Sequence, residues 1–411
     1  MMAKSLYIKR MSLLAAMILF LELRPYFAWS FIENSFVKTG LLVLLSLLFF
    51  SNRKRTVTKK EVPYLSLFIL AAFCYSFFAV IRGRVNFNGF INSLTCILLI
   101  SIPLCQQSFG ESVFNSFATL FSVLVGLSLL SWIISIIFGL PQLGTLEIVS
   151  QNRQYLHYPF YVVEVTNYSA LDLLRFSGPF DEPGVVGTYG ALILTVTKYN
   201  FKDWRTIVIF TAGVLSFSLF FYIISVAFLL FYFLVVRRQV LVSLLLVASF
   251  FLLYLGTRNN PIFYEYIWKR AEWNVNTKTI EGDNRSSESV DAYLNNIRGT
   301  DDYYFGTSDS NWAINVANSS TSTYKSIICI HGVIFFVLYL SFFLTLGLKN
   351  INKKTELLLY CIVVLANFYQ RPGVFVPVPV FLYCSFAFGY LDDKRSQLYR
   401  GRMMQQIEDH S

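Results

Sequence analysis

Long apolar runs separated by short polar breaks fill most of this chain. They fall at about 5–22, 35–51, 62–81, 88–104, 112–138, 184–198, 204–217, 219–236, 239–256, 325–347, 355–369 and 374–391. Most reach the roughly 17 residues that cross a bilayer as a helix. The alternating ten-residue pattern of a membrane barrel is absent, so the runs predict helices. The expected fold is an all-α polytopic membrane protein with about 12 transmembrane helices and two long external loops, the later one partly helical. The chain then divides into helices 1–5 over 1–138, a first long loop over 139–183, helices 6–9 over 184–256, a second long loop over 257–324, helices 10–12 over 325–391, and a tail over 392–411.

The polar breaks set the orientation. Taking the N-terminus as cytoplasmic, the inside segments are Lys4/Lys9/Arg10, 52–60, 106–111, 198–205, Arg237-Arg238, 349–354 and the tail, and all of them but 106–111 are short and basic. Basic segments stay on the cytoplasmic side. Both termini are therefore expected in the cytoplasm, and both long loops outside. Inside the second loop, 261–273 reads as an interfacial helix with Phe263, Ile267, Trp268 and Ala271 toward lipid. The segment 287–298 reads as a helix with Val290, Tyr293, Leu294 and Ile297 on one face and Gly299 as its stop.

Composition sharpens this reading. Only 14% of residues are charged and 55% are hydrophobic, against about 25% charged in a soluble protein. The net charge of +10 is explained by the placement of Lys and Arg at one side, not by a nucleic-acid partner. The spans hold almost no Asp, Glu or Lys, and such residues usually mark ion or proton relays. The six Cys show no paired spacing, the three His are dispersed, and Asp301-Asp302 is adjacent, not alternating. No metal and no cofactor is expected.

Chemistry concentrates in Arg175-Phe-Ser-Gly-Pro-Phe-Asp-Glu-Pro-Gly184, which continues to Gly190. One Arg, two acids and a Pro suited to a first helical position make a rigid polar turn at the mouth of a span. On residue types alone this is equally a helix cap. Arg285 precedes the predicted loop helix, and Arg371 lies in Tyr369-Gln370-Arg371-Pro372, a tight external turn. Arg258 and Lys325 flank the second loop, and His331-Gly332 lies inside the tenth span, as a packed ring or a buried acid/base. Arg175, Arg285 and Arg371 share the external face, and planar, permanently charged Arg suits a pyrophosphate. A nearby carboxylate suits proton removal from an attacking hydroxyl.

With these residues in view the chain resembles bacterial O-antigen and capsule repeat-unit polymerases of the Wzy type, a group that also holds the O-antigen ligases. The resemblance rests on Arg175–Gly190, on the break Leu215-Ser-Phe-Ser-Leu-Phe-Phe-Tyr222, on the second long loop with Arg285 and Gly306, and on Tyr369-Gln-Arg-Pro372. It implies a metal-independent glycosyltransferase acting on undecaprenyl-pyrophosphate-linked oligosaccharide at the outer face of the bacterial cytoplasmic membrane, among membrane lipids, with a chain-length regulator as an expected partner. By resemblance, Glu182, with Asp181 second, is the base, and Arg285 shares in catalysis. Arg175, Arg285, Arg371, Arg258, Lys325 and Tyr369 would bind pyrophosphate or glycan. His331 has no clear counterpart, and Thr321-Ser322 stands where ligases carry His-Asn. Ligation of finished glycan and flipping of lipid-linked repeats are the alternative readings. The long loops and charge-poor spans favour an enzyme over a flippase.

Overall fold

The computed structural model describes residues 2–83, 87–138, 144–148, 153–158, 162–165, 175–236, 238–269, 272–274, 279–280, 288–307, 324–370 and 376–390. Helices dominate. In chain order they are α1 (Met2–Leu21), the short α2 (Trp29–Glu33), α3 (Ser35–Ser51), α4 (Val62–Ile81), α5 (Phe87–Leu98), α6 (Gln107–Phe138), α7 (Pro183–Val196), α8 (Trp204–Leu215), α9 (Leu219–Phe231) and α10 (Val240–Thr257). After the second loop begins come α11 (Glu288–Ile297), α12 (Asp301–Phe305), α13 (Tyr324–His331), α14 (Val333–Asn350), α15 (Lys354–Gln370) and α16 (Pro377–Ala387). Four of them, α4, α6, α10 and α14, are long and apolar enough to cross a membrane. α3, α7, α8, α9 and α16 are apolar but shorter.

The helices pack through aromatic rings and small residues. α4 lies along α14, where Phe68 meets Phe342 at 4.7 Å between ring centroids. α1 lies along α6, tied by Phe20 on Phe121 and by Ser112 Oγ donating to Ser12 Oγ at 2.7 Å. Rings at these centroid distances add about 0.5–1.5 kcal/mol per pair beyond their burial. One continuous core results, from Ala15 on α1 to Tyr390 beyond α16. The outward faces stay apolar: Leu241, Leu244, Phe251 and Leu252 on α10 are each more than half exposed. Such a surface is at home in hydrocarbon, where backbone polar groups are satisfied within each helix.

Two features depart from the sequence pattern. The first long loop carries an antiparallel meander of β1 (Gly144–Ile148), β2 (Arg153–Tyr158) and β3 (Val162–Val165). Leu146 pairs with Tyr155, which pairs in turn with Val165. Short β-branched and aromatic stretches inside a polar loop make such strands, a signal too brief to register beside the apolar runs. The expected tenth span is also broken. α13 stops at His331, Gly332 takes φ +85°, and α14 begins at Val333.

The helix directions define two ends. At one end Lys54 donates to Glu61, Arg205 grips Asp203 and Lys198 reaches Glu356 at 3.3 Å. The segment 175–183, the bend 216–218, α11 to α13 and Tyr369 lie at the other ends of the same helices.

Candidate functional site

The Arg175 turn is built on a bend. α8 ends at Leu215 and α9 starts at Leu219. Between them Ser216 is fully buried and Phe217 is held at φ +48°. A non-glycine residue in that region is strained and persists only when its surroundings over-determine it. Here Ser216 Oγ donates to the Gly213 carbonyl at 2.7 Å and accepts from the Ser218 amide at 3.3 Å. Tyr222 Oη donates back to the Val214 carbonyl at 2.7 Å. The bend leaves the last carbonyls of α8 pointing out of the helix.

Arg175 and its neighbour take up those carbonyls. The Phe176 amide donates to the Leu215 carbonyl at 3.0 Å. Arg175 Nε and a terminal guanidinium nitrogen approach the Ser216 and Phe217 carbonyls at 3.4 and 3.5 Å. These are long contacts that aim the guanidinium along the negative end of α8. Phe176 and Phe180 are fully buried and pin the turn, Phe176 on Trp132 of α6 at 5.7 Å and Phe180 between Phe20 of α1 and Phe121 of α6. Gly178 supplies the left-handed residue at φ +60°.

The turn enters α7 as its residues require. Pro183 is the first helical residue, and Glu182 is the N-cap with extended backbone, its side chain making no capping hydrogen bond. Glu182 and Asp181 are both half-buried beside the positive end of α7. Gly187 is where α7 touches the bend: a Cβ there would stand 2.2 Å from the Ser218 Cβ. One turn thus brings together Arg175, Asp181 and Glu182, against the bend of the Leu215–Tyr222 break.

The other sequence candidates fall in separate groups. Arg258 is exposed at the end of α10. Beside it the chain runs from Pro261 into a π-wound turn over Tyr264–Trp268. The expectation that Ile267 and Trp268 face lipid is corrected: they are 3% and 8% exposed and pack with Phe217. Trp268 Nε1 also donates to Thr257 at 3.0 Å. A bend presenting Phe217 outward offers a protein surface nearer than lipid. Ala271 lies outside the described residues.

A third group surrounds α13. Lys325 Nζ donates to Asp291 of α11 at 2.7 Å, and exposed Tyr369 stacks on Tyr324 at 5.9 Å. α11 is the amphipathic helix its sequence announces, with Val290, Leu294 and Ile297 buried. Arg82 at the end of α4 donates to Asp302 at 3.0 Å and lies 3.7 Å from Asp301. The adjacent acids therefore clamp α12 to the helical body. His331 packs edge-on against Tyr75 at 5.1 Å and Phe335 at 5.6 Å. Arg285 and Arg371 lie outside the described residues. Among the described residues no group of three His, Cys, Asp or Glu is placed to hold a metal.

Sequence reasoning passed over Glu22, Arg24 and Tyr26, which follow α1 and meet the Arg175 turn. The Tyr26 amide donates to the Pro179 carbonyl at 2.8 Å. A single acid at the end of an apolar run was the available signal. No family model, no curated protein and no solved structure matches this chain.

Proposed function

We propose that the chain is a membrane glycosyltransferase that joins lipid-pyrophosphate-linked oligosaccharide repeats into a polysaccharide. Twelve membrane crossings with both termini cytoplasmic, and the Arg175 turn facing outward, belong to this reading. The observation that carries it is the Arg175–Glu182 turn itself. It sets a permanently charged guanidinium and two carboxyls on one short, rigid segment, at the end of the helices remote from the basic segments. The resemblance of this stretch to the repeat-unit polymerases supports the same reading.

The chemistry asked of the site is limited. A sugar hydroxyl of the incoming repeat attacks the anomeric carbon of the growing chain. A new glycosidic C–O bond forms as the C–O bond to the lipid pyrophosphate breaks. The hydroxyl proton passes to Glu182, or to Asp181 beside it. Arg175, with Arg285 and Arg371, offsets the charge that builds on the departing pyrophosphate. Lys325, Tyr369 and Arg258 contact glycan or headgroup further out.

The test is the length profile of surface glycan in a strain lacking the gene. Complementation with wild type restores a ladder of chain lengths, and complementation with Arg175→Ala, Arg285→Ala or Arg371→Ala leaves single repeats on their acceptor. Loss of all attached glycan on deletion, single repeats included, moves the function to ligation or flipping. Normal ladders from all three Arg variants end the phosphate-clamp reading.

A further inference from the structure

α1 ends at Leu21, and Glu22 is the first residue of the turn beyond it. That turn is sewn to the proposed site. Phe20, two residues earlier, packs on Phe180 at 5.8 Å. The Tyr26 amide, four residues later, donates to the Pro179 carbonyl. Between them Glu22 is 8% exposed, and its Oε1 has no hydrogen-bond partner among the described residues. Arg24 is held at φ +58°, a strained conformation for a side-chain-bearing residue.

A buried carboxyl with an orphaned oxygen is a costly group to ionise. The charges that act on Glu22 are Lys38, from the first turns of α3, and Arg24, from its own turn. α6, packed along α1, carries Glu111 as its single acid or base, near the opposite end. Burial outweighs both cations and pushes the Glu22 carboxyl up from 4.5 to about 7.

We infer that Glu22 is a positioning residue for the proposed site: its neutral form holds the 22–26 turn against Pro179–Phe180, and its ionisation loosens that seam and, with it, the Asp181–Glu182 turn. This rests on the transferase reading for its functional consequence but not for its physical test. When the seam opens, Glu22 meets water and returns to its ordinary acidity. Opening then becomes easier as pH rises from 4.5 to about 7, and levels off above. The opening constant rises by up to about two orders of magnitude over that window.

The Tyr26 N–H reports the seam directly. Hydrogen exchange is measured on the full chain in lipid nanodiscs between pH 5 and 7.5, for wild type and Glu22→Gln. The ratio of wild-type to variant exchange at Tyr26 is expected to climb several tens-fold across this range, because intrinsic exchange chemistry cancels in the ratio. Wild type alone gives a second reading: Tyr26 exchange climbs against that of the Phe388 amide, bonded to the Cys384 carbonyl at the other end. The inference is overturned by a flat wild-type Tyr26-to-Phe388 ratio, or by an equal climb in Glu22→Gln. In a transfer assay with lipid-linked repeats, wild type loses rate relative to Glu22→Gln as pH rises toward about 7, and the two profiles run parallel above it. Parallel pH profiles with a climbing exchange ratio would leave the seam standing and remove its role in catalysis. Loss of all attached glycan on deletion of the gene, single repeats included, would instead end the polymerase reading without touching the exchange result.

Discussion

The two ends of the helical body handle charge in opposite ways. At the basic end Glu61, Asp203 and Glu356 each meet a Lys or Arg. Glu61 precedes α4 and also accepts from the Thr58 amide at 2.8 Å. Burial would raise its carboxyl, but the Lys54 and Thr58 hydrogen bonds win and hold it below its ordinary value. Asp203 behaves alike under Arg205, which spans its two oxygens at 3.1, 2.8 and 2.6 Å. At the other end Glu22 is left short of a partner, and the strained residues Arg24 and Phe217 lie beside the Arg175 turn. Paired charge makes an anchor. A buried carboxyl short of a partner is retained at a cost, and such groups collect at functional sites; left-handed non-glycine backbone, by contrast, occurs at both ends, at Lys198 and Tyr199 as well as at Arg24 and Phe217.

The comparison breaks most sharply at Gly187 and Arg175. Gly187→Leu would drive a side chain into Ser218, where even a Cβ is 2.2 Å from its neighbour. The bend must then move off α7, and we expect a loss of roughly 3 kcal/mol or more, read as a fall in the thermal midpoint of the detergent-solubilised protein. Unchanged melting would mean that the bend is not packed on α7 as described. Arg175→Ala is expected to lower transfer at least a hundredfold while lowering stability by only about 1 kcal/mol, since its carbonyl contacts are long. A large melting change with transfer intact would make Arg175 a helix cap and nothing more. Glu182→Gln is expected to lose transfer to a similar degree and to keep binding lipid-linked repeat. Equal loss of both would make Glu182 structural.

How far the sequence carried this picture depends on what each feature rests on. Helices such as α3 and α4 are read from continuous apolar runs, a signal that does not depend on tertiary contacts. The start of α7 at Pro183 and the buried face of α11 were legible for the same reason: cap chemistry and 3.6-residue periodicity are local. The inward burial of Ile267 and Trp268 was not, because only the bend at Phe217 creates the surface they cover. Gly332 was noticed as a residue but not as a helix break. Its left-handed backbone leaves room for the Tyr304 carbonyl, 28 residues away by number and 2.3 Å from where a Cβ would stand. Glu22 shows the same limit from the other side. The turn it opens is held by Pro179 and Phe180, and Lys38 acts on its charge, none of which a local pattern places near it.

The remaining predictions sharpen the contrast with smaller effects. Glu61→Gln is expected to cost roughly 1–3 kcal/mol, because it leaves Lys54 facing a neutral amide in a half-buried place. The pH dependence has opposite signs at the two ends. Glu61 and Asp203 are depressed in the folded protein, so the stability they add is present above the unfolded carboxylate range, and lost as pH falls through their still lower folded values. Glu22 is raised, so its end is most stable below 4.5 and loses stability as pH climbs toward about 7. Exchange measured at both ends over one titration reads the two signs together. The smallest effect belongs to Lys353, which meets Glu356 at 3.1 Å but is 63% exposed. Water and salt screen such a pair, and Lys198 holds the same carboxylate from a more sheltered position, 30% exposed. Lys353→Ala is therefore expected to change the melting midpoint by no more than about 0.5 kcal/mol in stability, with less than that at high salt. A loss of several times that amount would show that the basic end depends on the three-charge cluster as a unit, and that its anchoring is not the work of the sheltered pairs alone.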